Sequence, residues 1–139
     1  MAYWLVKSEP DSWSWQQQLD AGTTHWDGVR NHQAAKNLKA MAAGDRVFFY
    51  HSGSERRIMG IVEVVRTAYP DPGDPSGRFV MVDVQVVNPL PRSVTLAEIK
   101  AMPELSDIAL VRQARLSVMP IDDMAWRRLC AMGGLDDAV

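Results

Sequence analysis

The residues able to do chemistry gather at the ends of predicted strands and around one predicted loop. Trp26 lies between Thr24-His25 and Asp27-Gly28, and the Asp27-Gly28 turn signal puts its indole in a loop. Loop aromatics often form recognition surfaces, and an indole stacks on a nucleobase for about 1–3 kcal/mol. Lys7-Ser8 and Arg115-Leu116-Ser117 bring cations and hydroxyls to strand ends, and Asn31 brings a carboxamide just after the Trp26 loop. A base pocket needs such a set: an aromatic wall, amides or hydroxyls for a Watson–Crick edge, and a cation for phosphate. Each residue also has a structural reading. Trp26 would plug the open end of a sheet, Lys7 and Arg115 would be solvated charges, and Asn31 would cap a helix.

His51-Ser52 offers a second chemistry, half of a nucleophile–base pair. Neighbours on a strand point to opposite faces, so these two would pair only in a turn. The competing role is hydrogen bonding that shapes the strand exit. No Gly-rich dinucleotide loop, Walker-type phosphate loop or G-x-S-x-G elbow occurs. His25, His32 and His51 form no H-x-x-x-H pair and no cluster with cysteine, so neither a metal nor a cofactor is expected.

The elements that must position these residues follow from periodicity. Tyr3 to Val6 reads as a strand covered on both faces. Asp11 or Ser12 would cap a helix through Leu19, ended by Gly22, and would place Trp13 and Trp15 on different faces of it. Thr23 to Gly28 reads as a loop. Asn31 would cap a second helix whose Ala34, Leu38 and Met41 form one buried stripe. Arg46 to Tyr50 and Ile58 to Val65 read as strands. Tyr69 to Gly77 is dense in turn formers, and Val80, Val82, Val84 and Val86 then alternate as a strand. Thr95-Leu96-Ala97-Glu98 matches a capping box, with Pro103 limiting that helix. A short turn at Ser106 or Asp107, a strand from Arg115 to Met119 stopped by Pro120, and a helix with Trp126, Leu129 and Met132 complete the chain. This order predicts an α+β fold, a compact mixed sheet or small barrel flanked by helices.

Composition narrows the function classes. The 139 residues, 1–139, suit one domain, with 47% apolar and 23% charged residues. A net charge of −2 excludes a polycation that coats duplex nucleic acid through phosphates alone. It leaves room for a small basic rim around a selective pocket. Cys130 is the one cysteine, which fits a reducing compartment, and no signal peptide or membrane span is predicted. A cytoplasmic protein is the expectation.

Four strings in order give a specific resemblance: Tyr3 to Pro10 (YWLVKSEP), Trp26 to Ala34 (WDGVRNHQA), Gly44 to Ser52 (GDRVFFYHS) and Arg115 to Pro120 (RLSVMP). Between them fall Gly60-Ile61, Tyr69-Pro70-Asp71 and Val82-Asp83-Val84. Together they resemble the EVE domain family across nearly the whole chain. The resemblance implies a PUA-like fold, a small mixed or antiparallel β-barrel with short peripheral helices, akin to YTH domains. It implies a non-catalytic reader of a modified base, foremost modified cytosine in DNA, with RNA also considered. On that comparison Trp26 corresponds to a cage aromatic and Lys7-Ser8 to the opposite wall. His51-Ser52, Asn31 and Arg115-Leu116-Ser117 would complete the cavity. This chain departs from many family members in its short stretch from Pro72 to Met81 and in carrying Phe79 where a tryptophan is common.

The expected partner is therefore a nucleic acid with a modified base, DNA or RNA, with no cofactor, no membrane and a monomeric state favoured. Two other readings stay open on the residues alone. One is a hydrolase or RNA-processing enzyme using His51 with Asp27 or Ser52. The other is a protein-interaction scaffold with an exposed apolar patch.

Overall fold

The computed structural model describes residues 1–135; the last four of the 1–139 span lie outside the described residues. Strand β1 (Tyr3–Ser8) is an interior strand of the sheet, with Trp4, Leu5 and Val6 all buried. It pairs in parallel with β3 (Arg46–His51) and antiparallel with β6 (Val118–Ile121). A parallel pair needs a crossover. That crossover carries α1 (Trp15–Ala21), β2 (Thr23–Trp26) and α2 (His32–Ala40).

Two long strands, β4 (Arg57–Pro70) and β5 (Val80–Thr95), form a hairpin that extends the sheet from β3 to β2. The order is β2-β5-β4-β3-β1-β6. Helices α3 (Leu96–Lys100), α4 (Ala109–Arg112) and α5 (Asp123–Met132) complete the α+β fold. Each edge strand, β2 and β6, pairs on one side only, so the sheet is open and corrects the expectation of a closed barrel. No helix among the described residues is long and apolar enough to cross a membrane.

The core is aromatic where elements cross. The Trp126 indole of α5 stacks on Phe48 at 3.9 Å and on Tyr3 at 4.4 Å. Gly60 sits directly under Trp15, where a Cβ would lie 2.3 Å from the indole. Asp45 is buried and accepts the Trp4 indole N–H at 2.9 Å and the Ala2 and Ala42 backbone N–H groups at 3.0 and 2.9 Å. This carboxylate ties the chain start to the turn before β3.

Several boundaries differ from the sequence expectation; β4, for one, runs on through Tyr69-Pro70, which pair with Met81 and Val80 of β5. Helix α1 starts at Trp15 because Ser14 and Gln17 form a reciprocal capping box. Trp13 therefore stands outside the helix, in a turn whose Ser12 and Trp13 N–H groups both donate to the Glu9 carbonyl at 2.9 Å. Thr23 to Trp26 is a strand, not a loop, because β5 offers it a partner in the register Trp26 to Val82. Pro120 lies within β6 rather than ending it; an edge strand tolerates the missing N–H.

Candidate functional site

A cavity of about 600 Å³ opens where the C-terminal end of β1 meets the approach to α1 and the β2–α2 connection. That volume falls in the range of roughly 300–1,000 Å³ typical of small-ligand sites. β1 contributes Lys7 and Ser8, the lead into β6 contributes Ser117, and the turn before α1 contributes Ser12 and Trp13. Residues Thr24 through Asn31 form the rest of the wall.

Two indoles line it. Trp26 ends β2, packs edge-on against Phe49 at 5.3 Å and is only 7% exposed. It is thus a core side chain and a cavity wall at once. Trp13 is half-buried and held at three points. Its carbonyl accepts the Ser8 hydroxyl at 2.8 Å, its backbone N–H donates to Glu9, and its indole N–H donates to Gln18 Oε1 at 2.9 Å. Gln18 is fully buried and donates in turn to the Gly22 carbonyl at 3.2 Å, so Trp13 rests on a fixed amide.

The polar side is equally tied down. Gly28 takes φ of 76°, a left-handed conformation that glycine adopts without strain. Its N–H donates to Asp71 Oδ2 at 2.9 Å, and the Arg30 guanidinium donates to the same oxygen at 2.9 Å. Asp71 Oδ1 accepts the Gly73 N–H at 2.8 Å. Burial alone would raise the Asp71 pKa; these hydrogen bonds and the Arg30 charge outweigh it and hold the carboxyl below the ordinary carboxylate value. Lys7 donates from Nζ to the Ala114 carbonyl at 2.9 Å, and burial lowers its pKa below the usual lysine value. Asn31 caps α2, its Oδ1 accepting the Ala34 N–H at 2.9 Å. At the outer rim, His25 Nδ1 lies 2.9 Å from Asp83 Oδ1, which also accepts the Tyr69 hydroxyl.

Of the residues singled out from sequence, the fold brings Lys7, Ser8, Trp26, Asn31 and Ser117 to this cavity. Ser52 lines a neighbouring recess with Lys7. Arg115 and Leu116 line another, shared with Asn31. His51 is buried and lines none of these three. Its Nε2 accepts the Trp15 backbone N–H at 2.9 Å, so Nδ1 carries the proton and donates to Glu55 at 2.9 Å. Both ring nitrogens are engaged, and the His51–Asp27 and His51–Ser52 acid–base pairs are absent.

Sequence reasoning missed Trp13 as a wall residue. The signal was present: a capping box beginning at Ser14 releases Trp13 from the helix. Phe79 does not line the cavity; its ring lies 5.5 Å from the Arg30 guanidinium and 5.2 Å from the His32 ring. The second indole at the cavity is Trp13 instead. Among the described residues no group of three or more His, Cys, Asp or Glu is placed to hold a metal.

An open mixed sheet with short helices, and a cavity at the end of its interior strand β1, define an α+β domain of the PUA-like class. The chain belongs to the EVE domain family, whose profile matches residues 2–132. A Rhodopseudomonas palustris protein solved by NMR is 52% identical, with a TM-score of 0.93 over 99% of this chain and 96% of that one. Human thymocyte nuclear protein 1 is 35% identical over 159 aligned positions, covering 86% of this chain and 68% of the human protein. That alignment is longer than the 139-residue chain, so the human protein carries insertions this chain lacks. The human structure, in complex with DNA containing 5-methylcytosine, superposes with a TM-score of 0.91 at 32% identity, over 99% of this chain and 100% of that one. A YTH domain from Zygosaccharomyces rouxii, in complex with N6-methyladenosine RNA, shares the fold at a TM-score of 0.62 and 16% identity, over 99% of this chain and 89% of that one.

Proposed function

We propose that this protein reads a single modified base, modified cytosine in DNA, by taking it into the cavity lined by Trp13 and Trp26, without chemical turnover. The observation that carries the reading is the cavity itself: two fixed indoles face a set of hydroxyl, carboxamide and backbone groups around about 600 Å³. The same fold in the human relative, at 32% identity, is bound to DNA containing 5-methylcytosine. Binding without turnover is supported by His51, whose nitrogens are committed to Trp15 and Glu55.

The energetics suit a weak, selective binder. Unstacking a base costs a few kcal/mol. One or two aromatic stacks and two or three hydrogen bonds of about 1 kcal/mol each offset it by a small margin. Burying one methyl group adds about 0.8 kcal/mol, which is roughly four-fold in affinity. The test is a fluorescence titration of 5-methyldeoxycytidine and deoxycytidine, free and within short single strands. The methylated forms should bind tighter, and Trp13→Ala should remove binding. Equal affinity for both forms, or no binding of either, would overturn the reading.

A further inference from the structure

We propose that the recess beside the main cavity, bounded by Lys7, Arg56 and Lys100, receives a backbone phosphate of the strand whose base enters the main cavity. The proposal rests on the base-reading function above and extends it to the flanking strand.

The recess holds about 290 Å³ between the β3–β4 turn and the α3–α4 region. Lys7 belongs to its wall and to the wall of the main cavity, so the two volumes adjoin at this residue. Three of its lining residues are cations and none is Asp or Glu. In a chain of net charge −2, an acid-free set of three cations is a local concentration of positive potential. An adjoining recess of about 230 Å³ shares Arg56, Leu96 and Lys100. Its one carboxylate, Glu55, is already engaged by His51 and Arg57.

Arg56 and Lys100 are exposed and form no ion pair among the described residues, whereas the adjacent Arg57 is paired with Glu55. Arg56 holds φ of 48°, an uncommon conformation for a non-glycine residue, in a turn anchored to β1 by the Ser52 N–H donating to the Ser8 carbonyl at 2.9 Å. The turn that carries the cation is thus bonded to the strand that carries Lys7-Ser8. The Lys7 ammonium, half-buried with one carbonyl partner, keeps donors for an anion. A phosphate oxygen accepting from a guanidinium and an ammonium matches this chemistry.

The experiment compares wild type with the double variant Arg56→Gln/Lys100→Gln. Both side chains are exposed, and a thermal melt checks the fold. The probes are 5-methyldeoxycytidine, which has no phosphate, and a short single strand containing it, from about 50 to 200 mM salt. The nucleoside should bind both proteins alike. The strand should bind the variant roughly three- to ten-fold more weakly at low salt, with a salt slope shallower by about 0.7–1. Inorganic phosphate should weaken strand binding no more than chloride of equal ionic strength. An unchanged slope, with nucleoside binding intact, would overturn the phosphate site and leave the base reader standing. Inorganic phosphate that binds wild type but not the variant, while strand affinity and slope are unchanged, would make the recess a free-phosphate site and overturn its link to the strand. Failure of both probes on wild type would overturn the base reading and this site with it.

Discussion

Asp71 fixes Gly28 across 43 residues of chain, accepting its N–H at 2.9 Å from the far end of the β4–β5 hairpin. The cavity rim from Gly28 to Arg30 is therefore held by a loop that contributes no wall of its own. Asp71→Ala should cost about 1–3 kcal/mol, because it leaves the partly buried Gly28 and Gly73 N–H groups without their acceptor. Denaturant unfolding measures that loss, and a nucleoside titration on the folded protein should show weaker binding. Full affinity in the variant would mean the rim holds its shape without the tie.

The same carboxyl sets a pH dependence. Its pKa is lowered in the folded state, so its stabilisation is complete above the ordinary aspartate value of about 3.9. That stabilisation is lost as pH falls through the lower folded value. Wild type should lose stability over this acid range more steeply than Asp71→Asn, as measured by thermal melts across it. Parallel curves would remove Asp71 from the acid response.

Trp13 and Trp26 separate binding from folding. Trp26→Ala empties a core position against Phe49 and should cost about 3–5 kcal/mol as well as binding. Trp13 is half-buried, so Trp13→Ala should cost about 1–2 kcal/mol through the lost Gln18 bond while still removing the nucleoside response. Persistent binding in folded Trp13→Ala would take that indole out of the site.

His51→Ala tests whether this histidine is structural. The change leaves the buried Trp15 N–H without an acceptor and should cost about 1–3 kcal/mol. Nucleoside affinity of the folded fraction should not change. A cavity-dependent activity that vanished in fully folded His51→Ala would restore an acid–base role.

Gly60→Ala places a methyl 2.3 Å from the Trp15 ring. Because that ring is buried and packed edge-on against Phe49 at 5.2 Å, it has little room to retreat. Overpacking of this kind costs about 1–3 kcal/mol. A melt equal to wild type would show that α1 shifts freely over the sheet.

Much of this was legible in the residues alone. Apolar runs at Tyr3 to Val6 and Arg46 to Tyr50 marked the paired interior strands, since burial on both faces leaves no polar alternation. Asn31 and Thr95 marked helix starts because capping is a contact within one turn of chain. The cavity residues Lys7, Ser8, Trp26, Asn31 and Ser117 were legible by type, each beside a strand or helix end. The rest depended on contacts between distant segments. Thr23 to Trp26 became a strand only because β5 lies beside it, and the sheet stayed open because β2 and β6 have no partner beyond their one neighbour. His51 was drawn into the core by a backbone N–H 36 residues away, and Trp13 was turned toward the cavity by Gln18 and Ser8. Local chemistry determines where a chain caps, turns and buries a face. Which polar groups remain available to a ligand is decided only when tertiary packing has satisfied all the others.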